Sequence, residues 1–231
     1  MMTPYDAIPN AVRKAVADLP PNILGRSGSI FYSGKEAYVD QAPLYILGLN
    51  PGGIPSESPT VTVASSIEKF KQRKTAWSEY ADESWEDAPP GQWGLQPRIL
   101  HMLVRLGLDP RMVPTSNVVF VQSRNEQHLE HEKAELLEAC WPLHNAVITE
   151  LGVRTILCFG GTAGRWVCEK LGSDALVDSF QETNKRGWSS KSHRNSDGLQ
   201  VVTVTHPSRV DWRNPMADPT PLVERAIARG R

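Results

Sequence analysis

The stretch Leu44–Gly53, LYILGLNPGG, decides the fold. Leu44 to Leu49 is a short apolar run, and Asn50, Pro51, Gly52 and Gly53 stop it at once. Such a run bounded by turn residues reads as a buried strand and then a sharp turn. Upstream, Asp6 to Asp18 carries apolar residues at helical spacing. Downstream, Ser65 to Tyr80 reads as a helix with Lys69, Lys71, Arg73 and Lys74 on its polar side, and Glu83 to Gly94 as an irregular loop rich in Pro, Trp and acids. Pro97 to Leu106 is an amphipathic helix.

The alternation continues to the end of the chain. Val118 to Gln122 is predicted as a second strand, Glu132 to Leu151 as a long helix with Pro142 a kink, and Thr155 to Phe159 as a third strand. Gly160 and Gly161 then open a helix that runs to Leu171. The polar, basic stretch Asn184 to Asp197 reads as a surface loop, Gln200 to Thr205 as a strand and Pro221 to Ala228 as a closing helix. Strands alternating with helices imply an α/β fold: one central, mainly parallel sheet with helices on both faces. The 231 residues suffice for a single domain. Ligands of such folds gather beyond the carboxyl ends of the strands.

Composition narrows the class. Hydrophobic residues make up 40% and charged residues 22%, as in ordinary globular proteins. No apolar run reaches the roughly 20 residues of a membrane span. Met1 to Pro21 lacks a signal-peptide core, so a cytoplasmic protein is expected. Cys140, Cys158 and Cys168 are an odd count without CxxC spacing, which suggests neither a disulfide framework nor a zinc site. A formal net charge of −1 means that any contact with nucleic acid needs local basic patches. Lys185, Arg186, Lys191, His193 and Arg194, near Trp188, form one such stretch.

Two turns carry chemistry. In Gly48-Leu49-Asn50-Pro51-Gly52-Gly53 the glycines let the backbone approach a ligand and Pro51 stiffens the turn. Asn50 is placed to hold a water or a leaving group, although such a turn can also simply end a strand. In Thr205-His206-Pro207-Ser208-Arg209, His206 can donate to a developing anion, Ser208 can bond a phosphate, and Arg209 can pair with one or enter a duplex. Gly160-Gly161-Thr162-Ala163-Gly164 lacks the P-loop lysine and the dinucleotide spacing, so close strand–helix packing explains its glycines best.

Together, the GxNPG turn after an early strand and the HPS turn after the last strand resemble the uracil-DNA glycosylase superfamily. The Asn of the first turn is most similar to the thymine/mismatch-specific and single-strand-selective branches. Ile156–Ala163 and Trp93–Leu106 resemble further segments, so the likeness runs with gaps from about Leu44 to about Trp212. The resemblance implies a three-layer sandwich that flips a uracil-like, damaged or modified base from DNA. It then hydrolyses the N-glycosidic bond and leaves an abasic site, in base-excision repair or in defence against phage DNA with modified bases. An inert DNA-binding relative would keep the same fold.

By the same resemblance Asn50 positions the water, His206 donates to the base carbonyl, Ser208 contacts a phosphate, and Arg209 or Val210 fills the hole left by the base, Arg209 being preferred. The aromatic that stacks on the base in related proteins is missing after Gly53, leaving Trp93 as the candidate and implying a roomier pocket. The Asn that reads the base from the middle strand falls near Gln122-Ser123-Arg124-Asn125, with Gln122 or Asn125 able to substitute. The four cysteines of the iron–sulfur branch are missing, so no metal or other cofactor is expected, and the chain is expected to act as a monomer on DNA. Asn50 and His206 are expected in one cleft, at the carboxyl ends of adjacent strands.

Overall fold

Six strands form one mixed sheet in a computed structural model that describes residues 3–56 and 59–230. They are β1 (Tyr45–Gly48), β2 (Thr115–Asn117), β3 (Thr155–Phe159), β4 (Ala175–Gln181), β5 (Ser189–Arg194) and β6 (Gln200–Val204). The order across the sheet is β2-β1-β3-β6-β5-β4. The first four of that order are parallel, whereas β5 and β4 are antiparallel additions at one side. The helices are α1 (Asn10–Ala17), α2 (Pro21–Leu24), α3 (Val63–Gln72), α4 (Glu79–Asp82), α5 (Gln96–Arg105), α6 (Lys133–Glu150), α7 (Gly161–Leu171) and α8 (Thr220–Gly230).

The period of two along the central strands sorts side chains into two cores. Tyr45, Leu47, Ile156, Cys158 and Val201 pack with residues of α1, α3, α6 and α7. Ile46, Leu157, Phe159, Val202 and Val204 pack on the other face with residues of α5 and α8 and with Trp212. The result is a three-layer α/β sandwich, as the alternation of elements implies. Each fully buried aliphatic side chain contributes roughly 1.5–3 kcal/mol, so both faces of β1, β3 and β6 hold the layers together. Among the described residues, no helix is long and apolar enough to cross a membrane.

Four expectations need correction. The second strand lies at Thr115–Asn117, ahead of the apolar run Val118–Gln122. Val118 and Val119 still donate to the carbonyls of Gly48 and Leu49, but as an irregular buried continuation. The basic stretch read as a loop contains β5, whose Ser190 and Ser192 are buried while Ser189, Lys191 and Arg194 are exposed. Its small hydroxyl residues carry no apolar signal, and the apolar residues of β4 lie on a strand with no buried residue. The helix expected over Ser65–Tyr80 stops at Gln72, because buried Lys35 donates its ammonium to the carbonyls of Phe70, Lys71 and Arg73. Finally, β1 and β6 are not adjacent, since β3 runs between them.

Candidate active site

A cleft of about 730 Å3 opens at the carboxyl ends of β1, β2, β3 and β6. The turn after β1 gives it Asn50, Pro51 and Gly52, and the loop after β6 gives it His206, Ser208 and Arg209. Gly160 to Ala163, at the start of α7, form a third wall. Gly160 sits at φ 92°, and a Cβ there would come within 3.8 Å of His206. Gly164, one turn on, lies so close to Thr203 of β6 that a Cβ would meet Oγ1 at 1.9 Å. The glycine run thus serves close strand–helix packing and lets the helix start under His206.

Asn50 is held in one orientation. Its Nδ2 donates to Ser123 Oγ at 2.9 Å, to Pro51 O at 2.9 Å and to Val121 O at 3.3 Å. Three acceptors around one nitrogen assign the amide, because a flipped group would set oxygen against oxygen. Oδ1 is therefore the atom left to accept from a water in the cleft. Ser123, 3% exposed, passes its own proton to Asn125 O at 2.9 Å. Gln122 Nε2 donates to Gly52 O at 2.8 Å, and Gly53 leaves the space for it, since a Cβ there would stand 2.3 Å from that nitrogen.

His206 is equally defined. The backbone N–H of Ser208 donates to Nδ1 at 3.1 Å, and Ser208 Oγ lies 2.7 Å from the same atom. Nδ1 must then be the unprotonated acceptor and Nε2–H the donor of a neutral ring. Burial, with Arg209 close by, lowers its pKa to about 4 and keeps it neutral. The ring packs edge-on against Phe159, with centroids 6.2 Å apart. Ser208 thus spends its hydroxyl on orienting His206 in this structure, rather than standing free for a phosphate. Val210 is 2% exposed and belongs to the core, whereas Arg209 is exposed at the cleft.

The base-reading candidates divide differently from the sequence reading. Asn125 lines the cleft, but its Oδ1 accepts from His128 N at 3.3 Å and faces His128 Nδ1 at 2.7 Å, capping the short 3-10 helix Glu126–Leu129. Gln122 braces the first turn and borders a neighbouring hollow instead. Asn117, the last residue of β2, is the amide that reaches the cleft floor. Gly48 makes room for it, since a Cβ there would meet Asn117 Oδ1 at 2.1 Å. Misplacing the strand by three residues hid Asn117. The pairing of a strand-end Asn with an opposing glycine is the signal that could have found it.

Trp93 does not line the cleft and is 49% exposed. The aromatic wall is made by Tyr32, Tyr80, Trp85 and Phe159. Gln96, fully buried at the start of α5, donates to the carbonyls of Glu79 at 3.0 Å and Glu83 at 2.8 Å, which pins Trp85 and Glu79 beside the cleft. Sequence reasoning missed both residues, because two tryptophans in one acid-rich loop look alike without α5 to choose between them. A second, mostly apolar hollow of about 520 Å3 lies between α7 and β5, away from Asn50 and apart from the cleft except at Gly161.

No protein-family model matches this chain. No curated protein matches it either.

Proposed function

We propose that the chain is a monofunctional DNA N-glycosylase that receives a flipped base in this cleft and hydrolyses its glycosidic bond, leaving an abasic site. One observation carries the reading. Asn50 and His206, from opposite ends of the sequence, face one cleft, each locked by neighbours into the protonation and orientation the chemistry needs.

Breaking the bond leaves positive character on the sugar and negative character on the base. Asn50 Oδ1 accepts from a water and aims it at the sugar. An amide is a poor base, so the gain is positioning: the water is held in line rather than recruited from bulk. His206 Nε2–H donates to the oxygen of the departing base. A neutral donor already in place stabilises the growing charge without reorganising. Asn117 reads the edge of the base from the floor. Arg209 and Arg124 line the cleft and, with the Lys185–Arg186 turn, grip phosphates. Acting as a monomer, the protein fills the duplex with Arg209 once the base has left the stack.

The test is single-turnover excision from oligonucleotides bearing uracil, damaged bases and bulky modified bases, with alkali to break abasic sites. Asn50→Ala and His206→Ala are each expected to slow excision about a hundred- to thousand-fold while DNA binding falls much less. Wild-type rates in both variants would refute the assignment. Tight binding of modified DNA without any abasic product would favour an inert DNA-binding relative.

A further inference from the structure

Two carboxyl groups line the cleft, and they are not alike. Glu126 is compensated: Oε1 meets Lys133 Nζ at 3.1 Å and Oε2 accepts from Thr162 Oγ1 at 3.1 Å. Glu79 has no ion-pair partner among the described residues. Its Oε1 accepts from Trp85 Nε1 at 3.0 Å, and no described residue donates to Oε2. Burial pushes this carboxyl above the usual range, which Trp85 and the more distant Arg73 and Lys69 only partly offset.

Glu79 also stands beside the aromatic wall of the cleft. Tyr32 stacks near Tyr80 with centroids 6.2 Å apart, and Trp85 meets Tyr80 edge-on at 6.2 Å. The Tyr32 hydroxyl lies close to Asn117 and feels the charge of Glu79. Asn117 and Glu79 therefore flank one aromatic wall. A carboxylate only accepts, so a base oxygen placed opposite it is repelled and an N–H group is matched. In this half-buried setting Oε2 accepts from no described residue, so the site favours a ligand that supplies a donor there.

We propose that Glu79 sets base choice: its open carboxylate oxygen accepts from an exocyclic amino group, so the cleft takes amino-bearing bases over bases that carry a carbonyl oxygen at that position. The excision part rests on the glycosylase reading, whereas the binding preference stands apart from it. The experiment uses the full chain and single-stranded oligonucleotides carrying uncleavable 2′-fluoroarabino nucleotides of cytosine, 5-methylcytosine, adenine, uracil and thymine. Affinity is read by anisotropy, and cleavable counterparts are assayed in parallel. Wild-type protein is expected to prefer amino-bearing bases by about 10- to 100-fold, the worth of one charge-assisted hydrogen bond. Glu79→Gln offers a donor as well as an acceptor and should bring that ratio to within about threefold, mainly by a gain on uracil and thymine. Glu79→Asp keeps the charge and should keep the sign of the preference. A wild-type preference for carbonyl bases, or a ratio that Glu79→Gln leaves unchanged, overturns the proposal. If Glu79→Gln does not fold, the wild-type and Glu79→Asp ratios decide it. Selective binding with no excision of any base would sink the glycosylase reading and leave the role of Glu79 standing.

Discussion

Asn50 and His206 are useful chemically because their neighbours remove choices from them. Ser123 is buried, and its hydroxyl holds Asn50 Nδ2 while donating to the carbonyl of Asn125. Ser123→Ala should therefore slow excision about fivefold, the worth of about one net hydrogen bond, with little change in melting temperature. Gly48→Ala should do more, because the new methyl takes the place of Asn117 Oδ1, and base selectivity should fall along with rate. The His206 imidazole should titrate near pH 4 rather than 6.5, staying neutral above that value, which imidazole nitrogen shifts in NMR would report. That Asn50, His206 and Arg209 would line the candidate cleft was legible because turn chemistry is written locally, in residues beside Pro and Gly. Asn117, Glu79 and Trp85 were not, because each becomes a site residue only through a partner distant in sequence: Gly48 for the first, Gln96 for the other two.

Helix α6 is tied to the sheet through His144, which is fully buried. Tyr45 of β1 faces its Nδ1 at 2.8 Å, and Nε2 stands 3.1 Å from the carbonyl of Val118. Since that carbonyl can only accept, Nε2 carries the proton and the tyrosine donates to Nδ1. Burial lowers the pKa of His144 from 6.5 to about 4. The unfolded chain then binds more protons between those values, so stability is complete above about pH 6.5 and is lost as pH falls toward 4. The loss from this group is roughly 3 kcal/mol; urea midpoints across that window should decline in wild type and less steeply in His144→Gln, where His206, lowered over the same range, still contributes. The central elements were legible because β1, β3 and β6 are buried on both faces and read as apolar runs. The added strands β4 and β5 were not, for β5 is polar, β4 buries none of its residues, and both lie toward one margin of the sheet. The early stop of α3 was also hidden, since it depends on an ammonium supplied by Lys35.

With a formal net charge of −1, the proposed contact with DNA depends on where the cations lie. Arg209 lines the cleft, and Arg186, which donates to the carbonyl of Arg209 at 2.8 Å and covers the ring of Trp188 at 4.9 Å, stands next to it. The salt dependence of DNA binding should therefore be modest, and Arg186→Ala or Arg209→Ala should each reduce its slope by about one, read from affinities at several salt concentrations. The order of the strands has a consequence in time. The cleft draws its lining from Tyr32 through Arg209, and the parallel strands β1, β3 and β6 that carry it pair across long stretches of chain. Parallel neighbours so distant along the chain form slowly, on the order of milliseconds to seconds. Recovery of function after dilution from denaturant should thus trail the recovery of helical signal. During synthesis, a nascent chain owns no working cleft until the segment through Arg209 has left the ribosome.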